Sequence, residues 1–495
     1  MIVLINPNLV ARKDDLFTTG IVYMPIGLAY FAASLRDSGY EFKVIDAFGE
    51  KPEEVKTQGS FLILGLAEDE VIKLIPKDAE VIFIYASCVS YHLALVNIAK
   101  AIKRKFPGVP LAAIENTQAV TSYSLCEAQE ELYQNGVDFI LTGEPERRGI
   151  SLIRALRDKL DLSLIDGLGF KFNGKAGYVK PIKEIEQLDG LAFPAWDAFP
   201  IENYWRLNYG HGPIETGRYL PLLTSRGCPY ACQFCLMPYF DAQGWRGRSA
   251  KNVVDEMEYW QRNLGVSEFH IEDVNPAISD ARIREICSEI NKRRLKLIWK
   301  LVSGTKVESL KDEGTLELMA SSGCNYISIS PETGSEKILK LMHKPFDLAH
   351  ALSLVKSMHR LKIFSQACFV LGFPGETKAD IKLTEKLIKK LTAVGIDEIA
   401  VFIITPVPGS GLFKEFKGNF HFSELNFSPT WREDYQFLNR ERLRLYRIFL
   451  FYKALFHFPK IAVQPFRFLK RSFKTKMEMV PYRAFRMKGL TERAR

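Results

Sequence analysis

The chain has 495 residues, enough for about three domains, and its 47% hydrophobic and 25% charged residues exclude a disordered or fibrous protein. Eight cysteines without a paired framework exclude a secreted disulfide scaffold, and no apolar stretch reaches the roughly 20 residues that span a bilayer. The net charge of +9 sits at one end: residues 431–495 hold 17 Lys/Arg against 5 Asp/Glu, a surplus of 12 that leaves the rest of the chain at −3.

Residues 1–160 alternate short β-rich runs with helical patterns. The strands are expected at Ile2–Ile5, Phe42–Ile45, Val81–Tyr85, Pro110–Ile114 and Phe139–Leu141. Helices are expected between them at Gly27–Ser38, Phe61–Leu74, His92–Lys105 and Ser122–Gln134. This alternation predicts a Rossmann-like (flavodoxin-like) parallel sheet covered on both faces, whose ligands sit beyond the strand ends, at the loops starting at Asn6, Ser87, Glu115 and Gly143. The N-terminal run stops at Asn6-Pro7 and lacks a basic start, so a cytoplasmic protein is expected and not a signal peptide. Residues 161–215 read as a connector: a hairpin around Asn173-Gly174, then an extended strap, Leu188–Asp197, in which proline excludes regular helix.

Residues 216–410 alternate again. Six strand candidates (Leu222–Ser225, Phe269–Glu272, Leu297–Val302, Tyr326–Ser330, Ala367–Leu371 and Ile399–Ile404) predict a partial (β/α)6 TIM barrel, with its chemistry where the strands end. Residues 411–495 form a helical basic extension, with Pro459, Pro465 and Pro481 expected to break it into short pieces. Three readings of this tail stand side by side: contact with an anionic membrane, contact with nucleic acid, and a solvated helical cap on the barrel.

After the first barrel strand stands Thr-Ser-Arg-Gly-Cys-Pro-Tyr-Ala-Cys-Gln-Phe-Cys, with Cys228, Cys232 and Cys235 spaced Cys-x3-Cys-x2-Cys. Three thiolates can reach one metal centre, but they are one short of a closed four-cysteine site. A 4Fe–4S cluster here leaves one iron open for a small molecule. The alternatives are a partial zinc site or three core thiols. Four further segments follow later strands: Ile271–Asn275, Ser330–Ser335, Leu371–Thr377 and Thr405–Ser410.

The ensemble resembles the radical SAM superfamily, in the subclass with an N-terminal cobalamin-binding domain, over nearly the whole chain. The resemblance implies a 4Fe–4S cluster on Cys228, Cys232 and Cys235, with Phe234 as the aromatic before the last cysteine. It implies S-adenosylmethionine on the open iron, cleaved reductively to methionine and a 5′-deoxyadenosyl radical. Glu272 or Asp273 would meet the methionine amino group through a charge-assisted hydrogen bond, although either also reads as a plain strand end. Glu332 would contact the ribose or aminoacyl group. Gly372, Gly375 and Glu376, in Gly-Phe-Pro-Gly-Glu-Thr, and Pro408, in the turn after the sixth strand, would line the adenosyl moiety. Cys324 and Cys368 read as barrel-lining residues or as hydrogen-atom donors.

Asn6-Pro7, Pro25–Leu28, Ile45–Ala47 and Gly143–Glu144 resemble the cobalamin-binding module. Two departures stand out: no Asp-x-His-x-x-Gly is present, and Ala113–Thr117 replaces a usual Gly-Gly pair. The implied reaction is methyl transfer from S-adenosylmethionine to an unactivated carbon. The rivals are a cyclisation or rearrangement without methyl transfer, and a non-catalytic cobalamin or cluster sensor. The expected partners are a small, lipophilic substrate, a reductant such as flavodoxin or ferredoxin, and a membrane surface met peripherally by the basic C-terminus. Nucleic acid is not expected.

Overall fold

The computed structural model describes residues 1–119, 121–182, 184–240, 244–416 and 420–493. In chain order the strands are β1 (Ile2–Asn6), β2 (Leu9–Arg12), β3 (Phe42–Asp46), β4 (Val55–Gln58), β5 (Phe61–Leu64), β6 (Val81–Ala86), β7 (Leu111–Glu115), β8 (Phe139–Leu141), β9 (Leu168–Phe172) and β10 (Lys175–Tyr178). β1, β6 and β7 are buried along their whole length, as a parallel sheet covered on both faces requires. The sheet order is β10-β9-β8-β7-β6-β1-β3, parallel from β8 to β3, with the expected hairpin β9–β10 added antiparallel at one edge. The chain reverses direction across the sheet between β1 and β6, which places the ligand crevice of such a fold beyond Asn6 and Ala86.

One expected helix is split. Phe61–Leu64 is strand β5, paired antiparallel with β2 and β4 in a separate sheet, and the helix starts only at Glu68. A short run such as Phe-Leu-Ile-Leu carries no period that separates a buried strand from a helix. The break is Gly65, at φ +123°, where a Cβ would lie 2.3 Å from the Ala47 carbonyl oxygen.

The second sheet holds β11 (Tyr219–Leu222), β14 (Glu268–Ile271), β15 (Ile298–Thr305), β16 (Cys324–Glu332), β17 (Phe364–Leu371) and β18 (Glu398–Ile403) in that order, all parallel. The short pair β12 (Ser225–Arg226) and β13 (Arg246–Gly247) lies apart from it. Helices Ala250–Leu264, Asp280–Lys292, Glu313–Ser321, Leu348–Arg360 and Lys378–Val394 cover the sheet, giving a partial TIM barrel. Each helix has a sequence-coded start: Ser249, Ser279, Asp312, Asp347 and Thr377 are N-caps whose side chains accept a backbone N–H of the first turn.

The prolines of the extension interrupt it less than expected. Helix Tyr435–Ala462 runs through Pro459 with a kink at His457, Pro465 sits in the first turn of Gln464–Lys470, and Pro481 lies inside Lys476–Arg493. A proline in the first turn gives up an N–H that has no helical partner anyway. The extension closes the open edges of the barrel. Val401 N–H of β18 donates to Tyr446 Oη (3.0 Å), Glu398 accepts the Lys476 N–H (3.1 Å), and Phe473 N–H donates to Ile214 O (2.8 Å) ahead of β11. Among the described residues no helix is long and apolar enough to cross a membrane.

Candidate functional site

β12 and β13 pair antiparallel and pinch the ends of the cysteine loop, which turns at Gly227 with φ +80°. The loop is pinned from two sides: Gln233 N–H donates to Met342 O (3.2 Å), and Leu412 N–H donates to Gln233 O (2.9 Å). Cys228, Cys232, Cys235 and Phe234 all line one cavity of about 830 Å³ at the barrel mouth. Burial pushes the Cys235 thiol up to about 12 and raises Cys232, with Lys344 pulling Cys232 the other way. No three Cys, His, Asp or Glu side chains among the described residues converge as a single metal ion needs. A cubane spreads its thiolates over separate corners, so three cysteines on one loop around a common cavity suit it better than they suit zinc.

The other expected residues divide into two groups. Glu332 lines the same cavity: at the end of β16 it adopts φ +63° and pairs with Lys344 Nζ at 2.5 Å. A left-handed conformation at a non-glycine residue stores strain that surrounding contacts must hold. The remaining residues stand around the cavity without lining it. Glu272 Oε2 is 2.6 Å from His211 Nδ1. Asp273 accepts from Thr224 N–H (2.7 Å), Thr224 Oγ1 (2.6 Å) and Ser225 Oγ (2.5 Å), fixing the approach to the cysteine loop. Gly372 N–H donates to Glu376 Oε2 (2.6 Å), and burial pushes that carboxyl up to about 7. A Cβ on Gly372 would meet Leu438 Cδ1 at 2.5 Å, so this turn faces the C-terminal extension, whereas Gly375 has only Leu341 at 3.5 Å. The Pro408 carbonyl accepts the Ser124 N–H at 2.9 Å, tying the last barrel turn to the N-terminal unit.

Several cavity residues were missed from sequence. Lys306 Nζ lies 3.9 Å from the Tyr230 ring centroid, and Tyr23, His211, Arg442, Lys476 and Arg483 reach in from segments far apart in the chain. The one local signal was in the tail: Lys476 and Arg483 are seven residues apart, two turns on one helix face.

Beyond the ends of β7 and β8 the N-terminal sheet is filled by side chains. Glu115, where the Gly-Gly pair is missing, accepts Leu125 N–H (2.8 Å) and Gly143 N–H (2.7 Å), and burial pushes its carboxyl up to about 8. Tyr123 is fully buried beside it, and a Cβ on Gly409 would meet Ser124 Cβ at 2.6 Å. Arg226 pairs with Glu146 (2.6 Å) and Glu144 (3.3 Å), Arg246 with Glu144 (2.8 Å), and Arg148 with Glu184 (2.9 Å). A pocket there, lined by Thr117, Gln118 and Met237 among others, holds about 10 Å³. Beside Glu115 a corrin would have to displace the segment around Tyr123.

A Rossmann-like sheet joined to a partial barrel, with a three-cysteine loop at the barrel mouth, defines a class of cluster-bearing α/β enzyme. Residues 222–388, about a third of the chain, match the model of the Radical SAM superfamily. It is 27% identical over 447 residues to cytidylyl-2-hydroxyethylphosphonate methyltransferase of Streptomyces wedmorensis, covering 84% of this chain and 81% of the relative. An uncharacterized methyltransferase of Pyrococcus horikoshii is 27% identical over 443 residues, covering 88% and 85%. The fold matches the radical S-adenosylmethionine methyltransferase TsrM from Kitasatospora setae, solved with cobalamin and a [4Fe-4S] cluster bound. The TM-score is 0.62 at 18% identity, covering 84% of this chain and 77% of that one.

Proposed function

We propose that this protein is a radical SAM C-methyltransferase acting on a small molecule held in the barrel-mouth cavity, with Cys228, Cys232 and Cys235 as cluster ligands. The observation that carries this reading is the cavity itself. It joins the three cysteines to the barrel interior and has room for both S-adenosylmethionine and a substrate. When bound, the cluster supplies the electron that splits the sulfonium. The chain's own residues orient and enclose. Phe234 and the Glu332–Lys344 pair bracket the cysteine loop. Asp273 holds Thr224 and Ser225 at its base, and the C-terminal helices seal the barrel edge against water. Two methyltransferase relatives that span most of the chain support the reaction class. Cobalamin belongs to this reading through the solved neighbour, and loading it requires the crevice at Glu115 and Tyr123 to open.

The side chains packed around Glu115 and Tyr123 support a second reading, radical chemistry without methyl transfer. Products separate the two. A methylated product with both S-adenosylhomocysteine and 5′-deoxyadenosine supports methyl transfer, and 5′-deoxyadenosine alone supports the second. A reductant of the flavodoxin or ferredoxin type supplies the electron. Peripheral contact with an anionic membrane fits the exposed Phe451, Phe458 and Leu469 among the tail's basic residues.

A further inference from the structure

Helix Lys476–Arg493 puts two cations, Lys476 and Arg483, on the cavity wall. Neither forms an ion pair among the described residues. Arg483 is 2% exposed; its Nη2 donates to Phe17 O at 2.8 Å, and its Nε–H has no acceptor. Lys476 Nζ donates to Val302 O at 2.8 Å and lies 3.3 Å from His211 Nε2. His211 is already committed to Glu272 through Nδ1, which orients it towards the ammonium. Two other cavity cations are neutralised, Lys344 by Glu332 at 2.5 Å and Arg442 by Asp15 at 3.3 Å. A desolvated cation without an ion-pair partner is costly, and an arriving anion would offset that cost. Burial pulls both Lys476 and Arg483 below their ordinary values, and for Lys476 it outweighs the opposite pull of Glu398 and Glu272. Around them the wall is largely apolar, with Phe402, Ile404, Phe427, Leu443, Leu450 and Val480; Glu398 on the same wall is taken up by the backbone N–H groups of Lys476 and Met477 and by the Tyr326 hydroxyl.

We propose that Lys476 and Arg483 form a subsite for an oxyanion, a carboxylate or phosphate-type group, carried on an apolar body that lies along the C-terminal wall of the cavity. The substrate is then an amphiphilic anion. This rests on the reading of the cavity as the substrate chamber, but not on any step of the radical chemistry.

The test is isothermal titration of the full-length, anaerobically reconstituted protein with dodecanoate, dodecyl phosphate and dodecanol. At least one of the two anions is expected to bind about tenfold or more tighter than the alcohol, the worth of a charge-assisted hydrogen bond. Lys476→Gln and Arg483→Gln each remove that preference, and Lys476→Arg keeps it. Far-UV circular dichroism and iron content unchanged from the parent show that the variants are folded. Equal binding of dodecanol and both anions by the parent overturns the proposal without needing any variant. So does an anion preference that survives both substitutions. Variants that weaken only S-adenosylmethionine assign the pair to the cosubstrate and overturn it too. Cleavage of S-adenosylmethionine, followed in the same sample, reports separately on the radical SAM reading.

Discussion

The two parallel sheets end alike, in loops beyond the carboxyl ends of their strands, yet one end is open and the other shut. At the barrel mouth an 830 Å³ cavity is lined by four thiols, Cys368 besides the three of the loop, and by two cations without ion pairs. At the N-terminal sheet a like position is filled by Glu115, Tyr123 and a lattice of Glu–Arg pairs around about 10 Å³ of space. Topology places a crevice, but loop side chains decide whether it stays one.

The largest effect expected is at the open end. Cys232→Ala should bring reductive cleavage of S-adenosylmethionine below detection, measured as 5′-deoxyadenosine by chromatography. Full cleavage by that variant would remove the cysteine loop from the account.

At the shut end, Arg226→Met leaves Glu146 buried without its partner. Loss of one member of a buried pair should cost about 3–5 kcal/mol in denaturant unfolding. A change under about 1 kcal/mol would mean the junction is looser than its geometry implies.

Glu115 gives that end a pH dependence. Its folded-state value, about 8, lies above the ordinary 4.5, so folding favours the protonated form. The contribution is fully present below about pH 4.5 and is lost as pH rises through 8, at up to ~1.4 kcal/mol per pH unit. Unfolding between about pH 6.5 and 8 should show this slope, and Glu115→Gln should flatten it. Glu115→Gly should also raise cobalamin retained on reconstitution, measured per chain by absorbance. An unchanged value would place the barrier elsewhere.

The smallest effect concerns the tail. Phe451→Ser with Phe458→Ser should lower co-sedimentation with vesicles of anionic phospholipid a few-fold, because each removes an exposed aromatic from a basic face. Unaltered sedimentation would leave the extension as a wall of the cavity alone.

What was legible in the sequence was local. The thiol triplet and the hairpin at Asn173-Gly174 each signal within a few residues, and the structure carries them where the pattern put them. What was not legible depends on distance. Glu272 reads as an isolated strand-end acid until His211, 61 residues earlier, is folded against it. Lys476 reads as one more charge in a basic tail until the chain brings it to His211 across 265 residues. The tail's surplus suggested a surface partner, whereas part of it faces inward, where the side chains of Lys476 and Arg483 finish the barrel. Phe61–Leu64 was misread for a different reason: four consecutive apolar residues carry no period.

The most direct test is paramagnetic resonance on reduced, oxygen-free protein, recorded before and after adding S-adenosylmethionine. A 4Fe–4S signal that shifts on addition is the predicted result. Zinc in the loop, or an iron signal that does not move, would contradict the account at its root.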